Sequence, residues 1–301
     1  MSPSPKSAAP RTLAVISGLV IGLLGVAISL LPHLLSGARM PLQNLWIRTT
    51  APENMPFSLL PLSQYYLLQL VGILAFAATF TGCLAHFTFP ARRRSVALGA
   101  TLGVALGLLV AIAQSFWALA QGLGIGASAK NLENLYFWGL LIGILVFSTI
   151  AVFTTHVFVH GSPTLSAIMW ALVAVTLTSW ALSWATITGP LTGDPTIYGY
   201  VQRFLPAVII GLALAWYGWR PLARLLVWVL DLALLFFIPI TATAIQSAAG
   251  MRVLKGQVNE MLAYGSEVFR AQLQPNTPHL WTIGLALLIA IIGTLIRSRR
   301  S

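Results

Sequence analysis

Eight long apolar segments determine what this chain can fold into. A helix needs about 20 consecutive apolar residues to cross the hydrocarbon core of a bilayer. Eight segments of the 301-residue sequence meet that length: residues 12–35, 65–87, 96–119, 135–159, 164–186, 198–219, 222–247 and 278–296. Only 8% of the residues are charged, whereas soluble domains contain about 25%. The sequence therefore predicts an all-α, polytopic integral membrane bundle of about eight transmembrane helices, with residues 12–296 forming a single domain.

The basic residues predict how the bundle is oriented, because the loops on the cytoplasmic side carry an excess of Lys and Arg. With the N-terminus inside, the inner segments are basic and contain no acid; they hold Lys6, Arg11, Arg92, Arg93, Arg94, Arg220, Arg224, Arg297, Arg299 and Arg300. Five of the six acids fall outside, namely Glu53, Glu133, Asp194, Glu260 and Glu267. We therefore expect a bacterial inner-membrane or plasma-membrane protein whose termini are both cytoplasmic. Residues 1–11 are expected to be disordered, and residues 297–301 form a basic tail.

Two long connections lie on the predicted outer side, at about residues 36–63 and 249–277. The first alternates apolar residues with prolines and predicts an ordered loop at the membrane interface. The second predicts an amphipathic helix, because its apolar residues recur with a helical period; they include Leu254, Val258, Met261, Leu262 and Phe269. Two interpretations stay open: the helix only caps the bundle, or its apolar face receives a lipid or an extracytoplasmic partner protein.

Glycines four residues apart predict close helix packing, since small residues let transmembrane helices approach each other. Gly99, Gly103 and Gly107 share one face of the third segment. Similar pairs occur at Gly18 and Gly22 and at Gly139 and Gly143. We expect these faces to pack within the chain; the alternative is a homo-oligomer formed through Gly99, Gly103 and Gly107.

One acid interrupts the seventh segment. The stretch LLVWVLDLALLFF places Asp231 among twelve apolar residues, and intramembrane carboxylates are expensive and often functional. Arg224 lies seven residues earlier, which on an ideal helix is roughly 10 Å away on nearly the same face. Asp231 is therefore predicted either to form a structural ion pair or hydrogen bond, or to be a functional site that binds a proton or contacts a partner.

Uncharged polar residues mark two further candidate positions. The seventh segment turns polar after Pro239, with Thr241, Thr243 and Gln246. These side chains either satisfy the backbone groups freed by the proline or line a cavity that opens outward. Gln114 in the third segment has the same two interpretations, an interhelical hydrogen bond or the wall of a cavity.

No sequence motif identifies a reaction. His156 and His160 have a spacing that can hold a metal or haem, but no acid or cysteine accompanies them on the same side. The net charge of +11 is confined to short loops and forms no basic face for nucleic acid. We therefore predict no cofactor, no metal and no nucleic-acid partner, and we do not expect an enzyme.

Three functions fit this sequence. The first is a non-enzymatic accessory or scaffold subunit of a cell-envelope, secretion or transport assembly. The second is a small carrier for a lipid or apolar solute, with protonation of Asp231 as a natural coupling step. The third is an intramembrane enzyme that acts on lipid-linked substrates at the outer face, for which Glu53, His33 and His279 are the available residues.

Overall fold

The computed structural model describes residues 11–89, 92–188, 195–251, 253–254, 256–274 and 277–299. These ranges contain nine α-helices: α1 (Arg11–Leu35), α2 (Leu67–Thr88), α3 (Arg93–Leu123), α4 (Asn131–His160), α5 (Pro163–Thr188), α6 (Pro195–Tyr217), α7 (Leu225–Gly250), α8 (Val258–Leu273) and α9 (Thr277–Ser298). All of them except α8 are long and apolar enough to cross a membrane. The prediction of an all-α, eight-span membrane bundle is confirmed.

The described residues of the bundle form two large apolar cores and two smaller clusters. One core joins α1, α2, α3 and α4 with the loop over residues 36–63. The other joins α5, α6, α7 and α9. The two cores meet where Trp180 of α5 stacks on Phe76 of α2, with ring centroids 3.5 Å apart. The indole of Trp180 also donates a 2.8 Å hydrogen bond to the carbonyl of Ser29 in α1.

Glycines bring α1 and α3 into backbone contact. A Cβ atom added to Gly103 would lie 3.0 Å from the Cα of Gly22, and one added to Gly107 would lie 3.0 Å from the side chain of Val26. Gly99 likewise faces the backbone of Val15. This face of α3 is therefore covered by α1 of the same chain. An oligomer through the three glycines stays a proposal, and it would have to use a face that α1 already occupies.

The bundle has two chemically different ends. We call the end that carries residues 36–63 and α8 the loop end, and the end that carries Arg92–Arg94 the arginine end. Because the chain crosses eight times, α1 starts and α9 finishes at the arginine end. Which end faces the cytoplasm stays a prediction from the charges.

The loop over residues 36–63 is ordered, as predicted. Its backbone closes on itself through Met40 and Ser58, whose amides donate to the carbonyls of Pro56 and Ala38 at 2.9 and 2.8 Å. The side chains of Leu60 and Leu62 are fully buried. This loop therefore has a defined conformation and covers part of the loop end of the bundle.

The second predicted outer element is α8, which is amphipathic and contains no buried residue. It packs along α7, where a Cβ atom added to Gly265 would lie 3.1 Å from the Cβ of Ala248. The helix starts at Val258, so Leu254 lies in the preceding turn. The prediction that placed Leu254 on the helical face is wrong, because the chain is still turning at Gly256, which has a positive φ of 86°.

An apolar groove as the candidate functional site

A large groove runs along the bundle between α4 and α7. Its volume is about 1000 Å³. Helices α4 and α7 form its long walls, α2 and α5 form its floor, and α8 with the loop over residues 36–63 closes its loop end. We refer to this space as the groove.

The groove is as long as a membrane is thick. On α4 its wall extends from Leu132 to Thr154, which is roughly 33 Å at about 1.5 Å per residue; the hydrocarbon core measures about 30 Å. Leu70 on the floor is buried, while Phe147 and Phe237 on the two rims are exposed. The groove therefore opens sideways between α4 and α7, towards the surrounding hydrocarbon.

The polarity of the wall changes along the groove. At the loop end the lining includes uncharged polar residues: Gln43, Asn44, Ser63, Gln64, Tyr65 and Gln246. Further along, the only polar side chains in the lining are the threonines Thr154, Thr176 and Thr241. None of the described residues that line the groove is charged. The described wall of the groove is therefore polar and uncharged at its mouth and apolar along the rest of its length.

Hydrogen bonds fix part of the mouth in place. The side-chain amide of Gln43 makes two of these bonds: its nitrogen donates to the carbonyl of Leu62 at 2.6 Å, and its oxygen accepts from the Tyr136 hydroxyl at 2.9 Å. These contacts tie the loop to α4. By contrast, no hydrogen bond is recorded for the side chains of Gln64 and Gln246 within the described structure, and both line the groove.

Gly139 and Gly143 of α4 leave the groove open. A Cβ atom added at either position would meet nothing within 4 Å, and both residues line the groove. The prediction that this pair packs against another helix is wrong. Spacing alone does not distinguish a glycine pair that packs from one that lines an open space, so the groove could not be predicted from the sequence.

The polar residues predicted as cavity walls divide into two groups. Gln246 and Thr241 line the groove. Thr243 is turned away from it and donates to the carbonyl of Pro239 at 2.8 Å. The side chain of Gln114 holds the loop: its oxygen accepts from the amide of Leu59 at 2.8 Å, and its nitrogen donates to the carbonyl of Phe57 at 3.0 Å. Gln114 therefore has a structural role towards the loop, which is neither the predicted interhelical hydrogen bond nor the predicted cavity wall.

Asp231 lies just beyond the deep end of the groove and is fully buried. Neither of its carboxyl oxygens has a hydrogen-bond partner in the described structure. Arg224 does not reach it; its guanidinium donates to the carbonyl of Tyr217 at 2.7 Å and lies 4.9 Å from the centre of the Tyr217 ring. The last carbonyls of a helix lack intrahelical donors and attract cations, and Tyr217 ends α6. The predicted pairing of Arg224 with Asp231 is therefore not formed.

The predicted lipid or partner surface of α8 contributes directly to the groove. Val258, Met261 and Leu262 line it. Phe269 is half-buried and lies outside the lining. The amphipathic helix therefore forms part of the wall and is not confined to the outer surface.

The remaining candidates that the structure describes do not assemble into a metal centre. Among the described residues, no group of three or more His, Cys, Asp or Glu could hold a metal ion. The ring of His33 donates to the carbonyl of Ser58 at 2.9 Å, and Glu53 is exposed on a turn. His156 and His160 stack on each other with ring centroids 4.1 Å apart. The side chain of His279 lies outside the described residues.

A comparison of the chain with known protein families, with curated proteins and with solved structures found no match. A functional assignment therefore rests on the groove and on the residues around it.

Proposed function

We propose that this multi-pass membrane protein binds an amphiphile with an apolar chain, such as a lipid, in the groove and acts as a carrier for it. The observation that carries the proposal is the groove itself: about 1000 Å³ of mostly apolar space, as long as the hydrocarbon core is thick, that opens sideways between α4 and α7.

The volume of the groove suits lipid chains. A methylene group takes about the same ~30 Å³ as a water molecule, so the groove holds on the order of 30 methylenes, or one to two lipid chains. A helix of about 10 Å diameter and about 25 Å length would fill roughly 2000 Å³. Because this is twice the available volume, a partner's transmembrane helix would leave about half of itself outside.

The distribution of polar groups sets the orientation of the ligand. A head group would lie at the loop end beside Gln64 and Gln246, and the chain would extend between Phe147 and Phe237. Since no described residue of the lining is charged, the lining favours a head group that offers hydroxyl, carbonyl or amide groups over one that needs a counter-ion.

The accessory-subunit hypothesis predicts a different occupant of the same groove, a helix of a partner protein. The pair Gly139 and Gly143 has the spacing that favours close approach of a helix, whereas the volume of the groove favours a lipid chain. The two hypotheses are therefore separated by identifying what stays bound to the protein.

The proposal is tested by filling the groove with larger side chains at its two glycines, Gly139 and Gly143. Leucines introduced together as Gly139→Leu and Gly143→Leu project into open space, so the fold has room for them. Gly284→Leu is the matched control, because Gly284 of α9 also has nothing within 4 Å and does not line the groove. All three proteins are purified in mild detergent and examined by native mass spectrometry, after photo-crosslinking with a phospholipid that carries a diazirine in its acyl chain.

The proposal predicts that the wild type and Gly284→Leu retain lipid and crosslink on α4 and α7, and that the groove-filled variant loses both signals. Equal labelling of all three proteins would show ordinary annular lipid only and would overturn the proposal. A co-purifying protein that is lost from the groove-filled variant, without loss of lipid, would overturn it in favour of the accessory-subunit hypothesis.

A further inference from the structure

We infer that Asp231 is a proton-binding site coupled to the groove, so that the chain takes up a proton when an amphiphile binds. This inference rests on the proposed function, since it concerns how occupancy of the same groove is linked to a second site on α7.

The first argument is the burial of Asp231 without a partner. Its side chain is 0% exposed, and neither carboxyl oxygen is hydrogen-bonded in the described structure. On either side of it along α7, Trp228 and Leu235 belong to the apolar core of α5, α6, α7 and α9. A buried carboxylate that stabilises a fold is normally paired with a cation or a hydrogen-bond donor. Asp231 has neither in the described structure, so its presence needs another explanation.

The second argument is the lack of a compensating charge on the helices around Asp231. Helix α5, which packs against α7, has no titratable residue in its sequence. The nearest charges by position are committed elsewhere: Arg224, in the turn before α7, donates to the carbonyl of Tyr217, and Arg297 of α9 donates to the carbonyl of Trp216. The hydroxyl of Tyr217, at the end of α6, shares a hydrogen bond with Thr164. The other titratable groups on elements that contact α7 lie towards the loop end: Tyr65 and Tyr66 before α2, Tyr198, Tyr200 and Arg203 on α6, Glu260, Tyr264, Glu267 and Arg270 on α8, and His279 on α9, whose side chain lies outside the described residues.

An isolated ionised carboxylate in this setting is costly, and proteins relieve the cost by protonation or by admitting water. Protonation fits the packed arrangement around Asp231. Ionisation requires water to enter the contact between α5 and α7. The charge state of Asp231 is therefore tied to how closely these two helices pack.

The groove lies beside the same contact between α5 and α7. Leu234, one turn beyond Asp231, and Ile238, two turns beyond it, line the groove from α7, while Val173 and Thr176 line it from α5. A lipid chain that covers these residues closes the route for water from the groove side. Binding of the chain therefore favours the protonated form, and by thermodynamic reciprocity protonation favours binding of the chain.

The experiment measures the Kd of a pyrene-labelled diacylglycerol, whose hydroxyl head group does not titrate between about pH 6 and pH 9, in detergent micelles. For the wild type we expect the Kd to rise about tenfold over this range, a typical size for coupled sites. Asp231→Asn is expected to bind at all pH values with the affinity that the wild type shows at about pH 6. Asp231→Glu, which keeps the acid, is expected to retain the pH dependence.

The five histidines, His33, His86, His156, His160 and His279, are present in all three proteins, so their titration contributes equally and cancels in the comparison. An identical pH dependence in the wild type and Asp231→Asn overturns the inference and leaves the groove proposal standing. Absence of binding by the wild type at every pH overturns the proposed function itself.

A measurement on the wild type alone covers the case in which Asp231→Asn does not fold. Infrared difference spectroscopy at about pH 8 follows the carbonyl stretch of a protonated carboxyl group when an ether-linked form of the probe, which has no ester carbonyl of its own, is added. The inference predicts that this band grows on binding, because the described carboxylates other than Asp231 are exposed to solvent or half-buried at the surface. No change in the band on saturating binding contradicts it.

Discussion

At the level of single residues, the polar groups around Gln114 and the carboxyl group of Asp231 contrast with each other. The side chains of Gln114 and Ser115 supply hydrogen-bond partners to backbone groups of the loop over residues 36–63, which contains no α-helix or strand. The Ser115 hydroxyl, for example, accepts from the amide of Leu60 at 2.9 Å. Asp231 is left without any partner in the described structure. Because a buried polar group without a hydrogen bond costs free energy, the first arrangement is structural, while the second needs a functional reason.

Gln114 provides a prediction about stability. Gln114→Leu removes the partners of the Leu59 amide and the Phe57 carbonyl, and leaving such groups unpaired costs about 1–3 kcal/mol. We expect a lower melting temperature and faster proteolysis of the loop over residues 36–63. Thr243→Val is the control, because Thr243 is exposed and bonds only to its own helix; it is expected to change little. Equal effects of the two substitutions would contradict the structural role of Gln114.

At the level of helices, the same glycine spacing has two outcomes. On α3 the glycines meet the backbone of α1, and on α4 they face the open groove. A spacing of four residues predicts that glycines share a face, but it does not predict what lies opposite that face. The length and apolar character of each segment are local properties, so eight spans were predictable. The distance between α4 and α7 is set by the whole bundle, so the groove was not.

This contrast predicts opposite effects of one substitution at two places. Gly103→Ala puts a Cβ atom 3.0 Å from the Cα of Gly22, and overpacking of this kind costs about 1–3 kcal/mol. Gly139→Ala meets no neighbour and gains about 0.5–1 kcal/mol of helix propensity. Thermal unfolding in detergent is expected to show a lower melting temperature for the first variant and an unchanged or higher one for the second. Shifts of the same sign and size would mean that α1 and α3 do not pack through these glycines.

The same limit of sequence information applies to the pair Arg224 and Asp231. A spacing of seven residues predicts that two side chains share one face of a helix. Arg224, however, lies in a 3-10 turn that precedes α7. Its guanidinium turns to the end of α6, where the carbonyl of Tyr217 is available. A competing acceptor from another helix cannot be seen in the spacing of one segment.

At the level of the whole molecule, charge separates the two ends of the bundle. In the described chain the arginine end holds Arg11, Arg92, Arg93, Arg94, Arg220, Arg224, Arg297 and Arg299, with no acid among them. The loop end mixes both signs, and Glu53, Glu133, Glu260 and Glu267 all lie there. Since basic segments are retained on the cytoplasmic side, this asymmetry predicts that the groove's polar mouth faces away from the cytoplasm.

Single cysteines test this orientation. Cys83 is the only native cysteine, so Cys83→Ala gives a background into which Ser128→Cys at the loop end or Thr88→Cys at the arginine end is introduced; both positions are exposed. In intact bacterial cells a membrane-impermeant maleimide is expected to label only Ser128→Cys, whereas Thr88→Cys reacts only after the cells are opened. The reverse pattern would place the mouth of the groove on the cytoplasmic side. A carrier would then receive its head groups from the cytoplasm, and the proton taken up at Asp231 would have to be supplied through the opposite end of the bundle.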